Sequence, residues 1–206
     1  MDSVFEYKPH QKVYLVIKRV LDIVFAIVAI VLLALPMAII ALVTALTSKG
    51  AAVFVQERLG KNEAPFKMYK FRSMKVGAPT LGADEMSIEQ ETDNVTKWGR
   101  LMRMTSLDEL PQLFCILSGK MSFVGPRPCL SEEFDGPLIR GRRAQNPSGF
   151  TAKPGLTGLA QVKMRRDHDP VTKAKYDSEY ARTMSLWLDI KIFFLTFAVI
   201  FHRNHK

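Results

Sequence analysis

The hydropathy pattern is dominated by a run of 24 residues, from Ile23 to Leu46, that contains no charged side chain. A run of this length is typical of a helix that enters a membrane. Pro36 divides it into halves of about 20 Å and about 16 Å at the helical rise, each shorter than a hydrocarbon core of about 30 Å. The pattern therefore predicts either a kinked span or a re-entrant helix that dips into the membrane and returns.

Basic residues stand on both sides of this apolar run. They are Lys8, Lys12, Lys18 and Arg19 before it, and Lys49, Arg58, Lys61, Lys67, Lys70, Arg72 and Lys75 after it. Because basic flanks favour the cytoplasmic side, a single crossing would export one of them, and the re-entrant form is favoured. A buried core helix of a soluble protein is the less favoured alternative, since such helices rarely run so long without a polar face.

After the run, shorter patterns predict a small globular core. Residues 53–56 and 66–71 are typical of two strands joined by a turn, which indicates a hairpin. Residues 76–94 indicate an exposed loop, and Trp98–Met104 indicates a short helix. These elements lead directly to the stretch that carries the candidate chemistry.

The second half of the chain is predicted to alternate loops and helices. The cluster Arg140–Arg143 indicates either a solvated basic loop or a phosphate-binding segment, and the Pro- and Gly-rich residues 150–162 indicate a rigid loop. Residues 171–184 are predicted to be helical, with Asp177 and Tyr180 on neighbouring turns. The aromatic tail Leu186–Phe201 is too short and too charged to span, and it indicates an interfacial helix.

Composition adds a charge argument. The 206 residues carry a formal net charge of +9 and a pI near 9.6, which favours an anionic partner such as a phosphorylated substrate, anionic lipid or nucleic acid. The two cysteines, Cys115 and Cys129, fit neither a disulfide framework nor a zinc site, and they indicate a reducing compartment.

Asp108 and Glu109 are adjacent carboxylates at the expected start of a helix, followed by Pro111. One structural explanation is a capping box between Ser106 and Glu109; another is Asp108 as the N-cap, which places Pro111 where its missing N–H costs nothing. Cations surround the pair in the sequence: Arg100, Arg103, Lys120 and Arg127. The functional alternative is therefore phosphate chemistry by a carboxylate whose ionised form the helix start favours.

Seven motifs, taken in order along the chain, resemble those of the bacterial sugar transferases. The motifs are Lys18-Arg-Val-Leu-Asp22, Gln56-Glu-Arg-Leu-Gly60, Tyr69-Lys-Phe-Arg-Ser-Met74, Ser106-Leu-Asp-Glu-Leu-Pro-Gln112, Met121-Ser-Phe-Val-Gly-Pro-Arg-Pro128, Pro154-Gly-Leu-Thr-Gly-Leu-Ala-Gln161 and Leu188-Asp-Ile-Lys191. Members of this family are monotopic phosphoglycosyl transferases, which move a phosphosugar from a UDP-sugar onto polyprenyl phosphate. The size of the chain resembles the minimal catalytic form.

The resemblance implies roles for individual residues. It implies that Asp108 is the nucleophile and a contact for a Mg²⁺ cofactor, and that Glu109 assists. Arg127 is the best phosphate ligand, because a guanidinium binds phosphate bidentately. The other substrate-binding candidates, for several of which structural pairing is the alternative, are Arg103, Lys70, Arg72, Gln161 and Pro126.

The chain departs from the family pattern at two places. Leu35 precedes Pro36, where the family has a serine whose hydroxyl can bond a carbonyl freed by the proline. After the Gln-Val step the chain has Lys163-Met164-Arg165, where the family has Gly-Arg, so substrate contacts at 163–166 are not carried over.

Together these patterns predict an α/β membrane-associated fold with a small cytosolic catalytic core, a short β-hairpin and interfacial amphipathic helices. The expected boundaries are a basic flank (1–19), a re-entrant membrane helix (20–48), a catalytic domain (49–185) and an interfacial C-terminal helix (186–206).

The reaction implied by the resemblance transfers a phosphosugar from a UDP-sugar to polyprenyl (undecaprenyl) phosphate and releases UMP, through a covalent aspartyl-phosphosugar. Its place would be the cytoplasmic face of the bacterial inner membrane, where it would start a glycan. The expected partners are UDP-sugar, polyprenyl phosphate and the bilayer; a homodimer is left open. Nucleic acid is not expected, because the aromatic residues lie in apolar tracts. The alternative is a non-catalytic, membrane-anchored basic protein that binds anionic lipid or nucleic acid.

Overall fold

The computed structural model describes residues 5–78, 94–164 and 169–203. Helix α1 spans Pro9–Thr47 without interruption at Pro36. Pro9 occupies the first turn, where a backbone N–H would have no partner within the helix, so a proline costs nothing there. The helix thus begins well before the apolar run, and Lys12, Lys18 and Arg19 lie on it rather than in a separate flank. By length and composition, α1 is the one helix among the described residues that qualifies as a membrane span.

One face of α1 packs along the globular core over its whole length. Near its start, Gln11 Nε2 donates to the carbonyl of Arg182 at 2.8 Å; in the middle, Ala26 is fully buried. Near its end, Thr44 Oγ1 accepts from Trp98 Nε1 at 3.0 Å. Both ends of α1 therefore contact the same core. The opposite face exposes large apolar side chains, among them Val31, Leu32 and Leu35.

The next element is the predicted hairpin, which the structure confirms. Strands β1 (Val53–Leu59) and β2 (Pro65–Phe71) pair antiparallel, with Gln56 opposite Met68. A 3₁₀ turn at Lys61–Glu63 joins them. Phe66 and Met68 are buried and pack against Ala26 of α1, so the hairpin lies against this helix.

Two helices flank the candidate carboxylates. Helix α2 (Lys97–Thr105) confirms the short helix expected at Trp98–Met104, and helix α3 spans Gln112–Leu117. Between them lies a 3₁₀ turn, Leu107–Glu109. Residues 79–93 of the loop expected at 76–94 lie outside the described residues.

A second, parallel pair of strands was not expected from the sequence. Strand β3 (Ser122–Val124) pairs with β4 (Gly155–Thr157), which lies within the segment predicted to be a loop. The same segment also contains a 3₁₀ turn at Gly149–Thr151 and the short helix α5, Leu159–Lys163. This pairing brings the Pro-Arg-Pro turn beside the Gly-rich segment.

The Arg140–Arg143 cluster lies in a helix, α4 (Glu132–Arg143), so the prediction of a loop is wrong. Arg140 and Arg143 are exposed to solvent and lie near carboxylates, as the solvated alternative predicts, whereas Arg142 is buried in an ion pair. Arg142 pairs with Asp177, and Arg143 pairs with Glu63.

The predicted helix at 171–184 is confirmed as α6, Pro170–Thr183. The C-terminal helix α7 spans Leu186–Arg203. Trp187 and Phe194 are 75% and 67% exposed, whereas Ile192 is fully buried, so the helix presents an apolar face outward. Its contact with a bilayer stays a prediction.

A polar network ties α1 and α7 to the core. Asp189 of α7 pairs with Lys18 and accepts from the hydroxyl of Tyr14, both on α1. The hydroxyl of Tyr180 lies 2.8 Å from Asp189 Oδ1 and 3.1 Å from the carbonyl of Val124. This network gives the first and last sequence motifs a structural role, since it connects both outer helices to the strand that precedes the Pro-Arg-Pro turn.

Candidate active site

The site forms where the ends of β3 and β4 lie side by side. Three glycines allow the two backbones to approach closely: a Cβ added to Gly125 would lie 2.2 Å from the carbonyl oxygen of Lys153. A Cβ on Gly155 would lie 2.1 Å from the Gly125 nitrogen, and one on Gly158 would lie 2.1 Å from the Gly125 carbonyl oxygen. Only residues without a Cβ fit here, so these positions hold the turn that carries Arg127 against the Gly-rich segment.

Asp108 and Glu109 occupy the 3₁₀ turn between α2 and α3, and neither caps a helix. Ser106 adopts a left-handed conformation (φ 57°) and makes no side-chain cap bond to this turn. Helix α3 has Pro111 as its N-cap, again without a side-chain cap bond. Both structural explanations are therefore wrong: Ser106 and Glu109 form no capping box, and Asp108 is not an N-cap.

The Asp108 side chain is buried, and the hydrogen bond it accepts comes from its own backbone. The residue is 8% exposed, and in the part of the chain that the structure describes its carboxylate bonds to no other residue. Burial and the charge of Glu109 raise the pKa of Asp108, and Lys70 and Arg103 offset only part of this increase. The expectation that a helix start favours ionisation is therefore wrong here. A poorly solvated carboxylate with a raised pKa is a more basic nucleophile than an exposed one.

Glu109 is held by Lys70, whose Nζ lies 3.0 Å from its Oε1. Burial opposes ionisation of this carboxyl, but the attraction of Lys70 and Arg127 outweighs burial and lowers the pKa of Glu109. Burial lowers the pKa of Lys70, and Glu109 counteracts that shift. The two neighbouring carboxyls therefore have pKa values displaced in opposite directions, as is typical of pairs with separate roles in catalysis.

A narrow cleft, open to solvent, has Glu109 in its lining. Three cationic side chains line it, namely Arg58, Lys70 and Arg127, and Glu109 is the one carboxylate among its lining residues. Three positive charges and one negative charge leave a net charge of +2. An anion with two negative charges, such as a diphosphate diester, matches the charge of this cleft.

Sequence reasoning missed Arg58 and Gln112 as cleft residues. Arg58 is fixed by Gln56, whose Oε1 accepts from Nη2 at 2.7 Å and from Nε at 3.1 Å. Burial, together with repulsion from Arg127, lowers the pKa of Arg58 to about 10. Both residues lie in the motifs that carry the family resemblance, which was the signal available for finding them.

The predicted substrate-binding residues divide into two groups. Lys70, Arg127 and Gln161 line the cleft, and Arg127 makes no hydrogen bond to the described residues through its guanidinium. Pro126 contributes through its backbone, because its carbonyl accepts from the N–H of Gly155 at 2.9 Å.

The remaining two candidates lie outside the cleft. Arg103, in the last turn of α2, acts on Asp108 by charge and does not line the cleft. Arg72 donates to the carbonyl of Lys49 at 2.8 Å and does not line the cleft; a role in substrate binding stays a prediction. Residues 165 and 166, where no substrate contacts were carried over, lie outside the described residues.

A fully buried arginine supports the backbone of the Pro-Arg-Pro turn. Arg142 Nη2 donates to the carbonyl of Arg127 at 2.9 Å and lies 2.6 Å from Asp177 Oδ2. Arg142 Nη1 lies 2.9 Å from Cys129 Sγ, and the guanidinium stacks over Phe150 at 5.1 Å. The Arg142–Asp177 pair thus connects α4 and α6 to the residue expected to bind phosphate.

The donor set for a metal is small. Among the described residues there is no cluster of three or more His, Cys, Asp or Glu side chains that would hold a metal ion. Asp108 and Glu109 supply two carboxylates, and Mg²⁺ is commonly held by one or two carboxylates together with substrate phosphates and water. These residues fit a magnesium ion that takes most of its ligands from a phosphorylated substrate.

Comparison with known proteins assigns the chain to a family. A family profile described as bacterial sugar transferase matches residues 13–203. The chain is 40% identical over 199 residues to a UDP-glucose:undecaprenyl-phosphate glucose-1-phosphate transferase of Klebsiella pneumoniae, covering 91% of the chain and 41% of that protein. It is 38% identical over 202 residues to an undecaprenyl-phosphate galactose phosphotransferase of Salmonella typhimurium, with the same two coverages.

A third relative is nearer in length. The chain is 40% identical over 180 residues to a UDP-glucose:undecaprenyl-phosphate glucose-1-phosphate transferase of Caulobacter vibrioides, covering 85% of the chain and 66% of that protein. The chain spans about two fifths of the length of the first two relatives. Because the family profile matches almost all of the chain, and does so across every element of the site, this protein belongs to the bacterial sugar transferase family.

Proposed function

We propose that this protein transfers a phosphosugar from a UDP-sugar to polyprenyl phosphate and releases UMP. The observation that carries the proposal is the buried carboxylate of Asp108, which bonds to no other described residue and adjoins Glu109 in a cleft of net charge +2. The printed activities of the relatives, which transfer glucose or galactose phosphate to undecaprenyl phosphate, support the same substrate classes.

The cleft cations are suited to the diphosphate of the donor. Arg58, Lys70 and Arg127 would neutralise its two negative charges, which reduces the repulsion that an attacking carboxylate meets at an anionic phosphorus. Arg127 is suited to bidentate contact, because none of its guanidinium donors is engaged by the described residues. Glu109 keeps Lys70 directed toward the same place.

The first step is attack by an Asp108 carboxylate oxygen on the phosphorus that bears the sugar. The new bond joins that oxygen to phosphorus, and the bond from the phosphorus to the bridging oxygen of the diphosphate breaks. The electron pair leaves with UMP, whose developing charge the cleft cations stabilise. The phosphosugar remains on Asp108 as an acyl phosphate.

The second step is attack by a phosphate oxygen of polyprenyl phosphate on the same phosphorus. The bond between phosphorus and the Asp108 oxygen breaks, its electron pair returns to the carboxylate, and the lipid-linked diphosphosugar departs. A magnesium ion on Asp108, Glu109 and the substrate phosphates would neutralise further charge at the reacting phosphorus. The two-step route requires that one site serve both substrates in turn.

We also propose that α1 is re-entrant and that the core lies on the cytoplasmic face. The two ends of α1 contact the same core, through Gln11 and Thr44, which supports a helix that begins and ends on one side of the membrane. The basic residues on either side of the apolar run support the cytoplasmic side. The exposed apolar faces of α1 and α7 would then contact lipid.

A burst experiment tests the chemistry. The wild-type protein, mixed with UDP-sugar and no lipid acceptor, should release up to one equivalent of UMP and gain the mass of one phosphosugar. Asp108→Asn should lose both signals while it stays folded and still binds UDP-sugar, and the exposed Glu133→Gln should behave like the wild type. Absence of an adduct in rapidly quenched wild type, with initial rates that fit a ternary complex, would refute the covalent route. Absence of UMP release even with acceptor would instead favour a non-catalytic anion-binding protein.

A labelling experiment tests the topology. Single cysteines placed at Ser3 and Ser48 should both resist an impermeant thiol reagent added to intact cells, because both ends of the apolar run are on the inside. Labelling of only one of them from outside would show a spanning helix.

A further inference from the structure

Two glutamine side chains that line the cleft have hydrogen-bonding atoms without partners. Gln112 is 3% exposed, and its amide makes no hydrogen bond to the residues that the structure describes. Gln161 donates from Nε2 to the carbonyl of Leu156 at 3.3 Å, and this bond leaves its Oε1 buried and unpaired. A buried polar atom without a partner is unfavourable, so a ligand in the cleft would stabilise Gln161 Oε1, and the Gln112 amide beside it is available to the same ligand.

The charges in the cleft indicate which end of the donor it holds. The cations Arg58, Lys70 and Arg127 line the cleft, whereas Asp108 is not among its lining residues. The group that departs after attack by Asp108 is UMP, which carries its charge away from the nucleophile. The cleft therefore suits the leaving nucleotide.

The two amides match one base edge in particular. Uracil presents two carbonyl oxygens on either side of an N–H, and a carboxamide offers one donor and one acceptor in a plane. Gln161 Oε1 is a hydrogen-bond acceptor, and the N3–H of uracil is a donor that it can bind. The Gln112 amide retains both a donor and an acceptor for a neighbouring carbonyl. Sugar hydroxyls, which both donate and accept, would not need this arrangement.

Apolar surface accompanies the amides. Met68 and Leu156 line the same cleft, and Gly155 contributes a wall without a side chain. A weakly polar ring with a polar edge suits a lining that combines apolar surface with two amides. We infer that Gln112 and Gln161 read the uracil base of the donor and thereby select uridine nucleotides over cytidine nucleotides.

This inference rests on the proposed function, and nucleotide binding tests it separately from catalysis. Binding of UMP, CMP, N3-methyl-UMP and pyrophosphate to the full-length protein in nanodiscs would be measured by calorimetry. The wild type should bind UMP at least about tenfold more tightly than CMP or N3-methyl-UMP, a difference of about 1.4 kcal/mol. Equal affinity for UMP and N3-methyl-UMP would overturn the inference without the need for any variant.

The variants then assign the readout to residues. Gln112→Met and Gln161→Met keep the size of the side chain and remove the amide. Each should weaken UMP binding about tenfold and leave pyrophosphate binding unchanged. Gln145→Met, just after α4 and outside the cleft, should change neither.

Two outcomes would contradict this assignment. Equal loss of UMP and pyrophosphate binding would mean that the amides only shape the phosphate site. Unchanged UMP binding, with altered preference between UDP-glucose and UDP-galactose, would mean that the amides contact the sugar. Failure of the proposed function has a different signature: UMP binds with uracil selectivity, yet no UDP-sugar yields UMP with polyprenyl phosphate.

Discussion

Replacing Asp177 with asparagine removes the only charge that compensates Arg142 within its buried pair. The two side chains are 3% and 2% exposed, and the Nη2–Oδ2 and Nε–Oδ2 distances are 2.6 Å and 2.8 Å. Arginine does not lose its proton inside proteins, so Asp177→Asn leaves a buried, uncompensated cation. Breaking a buried pair in this way costs about 3–5 kcal/mol.

The expected change in thermal stability follows from this cost. For a domain of this size, each kcal/mol lowers Tm by about 2–4 °C, so Asp177→Asn should lower Tm by about 6–20 °C. The assay is thermal unfolding in one detergent or nanodisc preparation, followed by circular dichroism. The matched control is Glu63→Gln, which removes the partner of the neighbouring but exposed Arg143. It should change Tm by less than about 2 °C, because exposed pairs contribute little.

A double variant separates stability from support of the site. Arg142→Met with Asp177→Asn removes both charges, so most of the lost stability should return. Transfer activity should not return, because the hydrogen bond from Arg142 to the Arg127 carbonyl is also lost. A Tm for Asp177→Asn within about 2 °C of the wild type would refute the assignment of a stabilising pair. Recovery of full activity in the double variant would refute support of Arg127.

The remaining predictions concern the nucleophile, its electrostatics and the membrane contact. Asp108→Asn should abolish transfer and leave Tm unchanged or higher, because it removes a buried carboxylate that bonds to no other described residue. A Tm lower by more than about 4 °C would show that Asp108 stabilises the fold. The acid limb of the pH profile of kcat/KM should lie above the range of an ordinary aspartate, because the pKa of Asp108 is raised and its reactive anion is lost as pH falls through that value. Lys70→Met should move this acid limb to higher pH, because Lys70 lowers the pKa of both Asp108 and Glu109. If the limb does not move, the group that titrates in it is not Asp108. The pair Trp187→Glu and Phe194→Glu should weaken liposome binding and lipid transfer more than the UMP burst, and equal loss with unfolding would mean that these exposed rings support the core.

Local patterns were sufficient for the long elements. The apolar run predicted that a long helix stands here, although α1 begins well before the run. The hairpin follows from two apolar strands around a turn, because its signal lies within a few residues. The helices at 97–105 and 170–183 were found for the same reason. The sequence also singled out Asp108, Glu109 and Arg127, whose residue types and order suffice for a chemical hypothesis.

Contacts between distant segments were decided only by the tertiary structure. Strands β3 and β4 have three residues each, too few for any periodicity, and their parallel pairing depends on glycines that let two backbones approach. Arg142 and Arg143 are identical in type and adjacent, yet one is buried and the other exposed. The two arginines differ in burial because the fold packs different residues against each side chain.

The environment of Asp108 shows the same division. Its sequence context suggested a helix cap and an easily ionised carboxylate, because Ser106, Pro111 and the acidic pair match local capping rules. The folded chain instead turns once between α2 and α3 and buries the carboxylate beside Glu109, which raises its pKa. Residue type and order in the sequence determined that a carboxylate stands at this point. Its loss of contact with solvent depends on the packing of segments distant in sequence, and only the tertiary structure decided it.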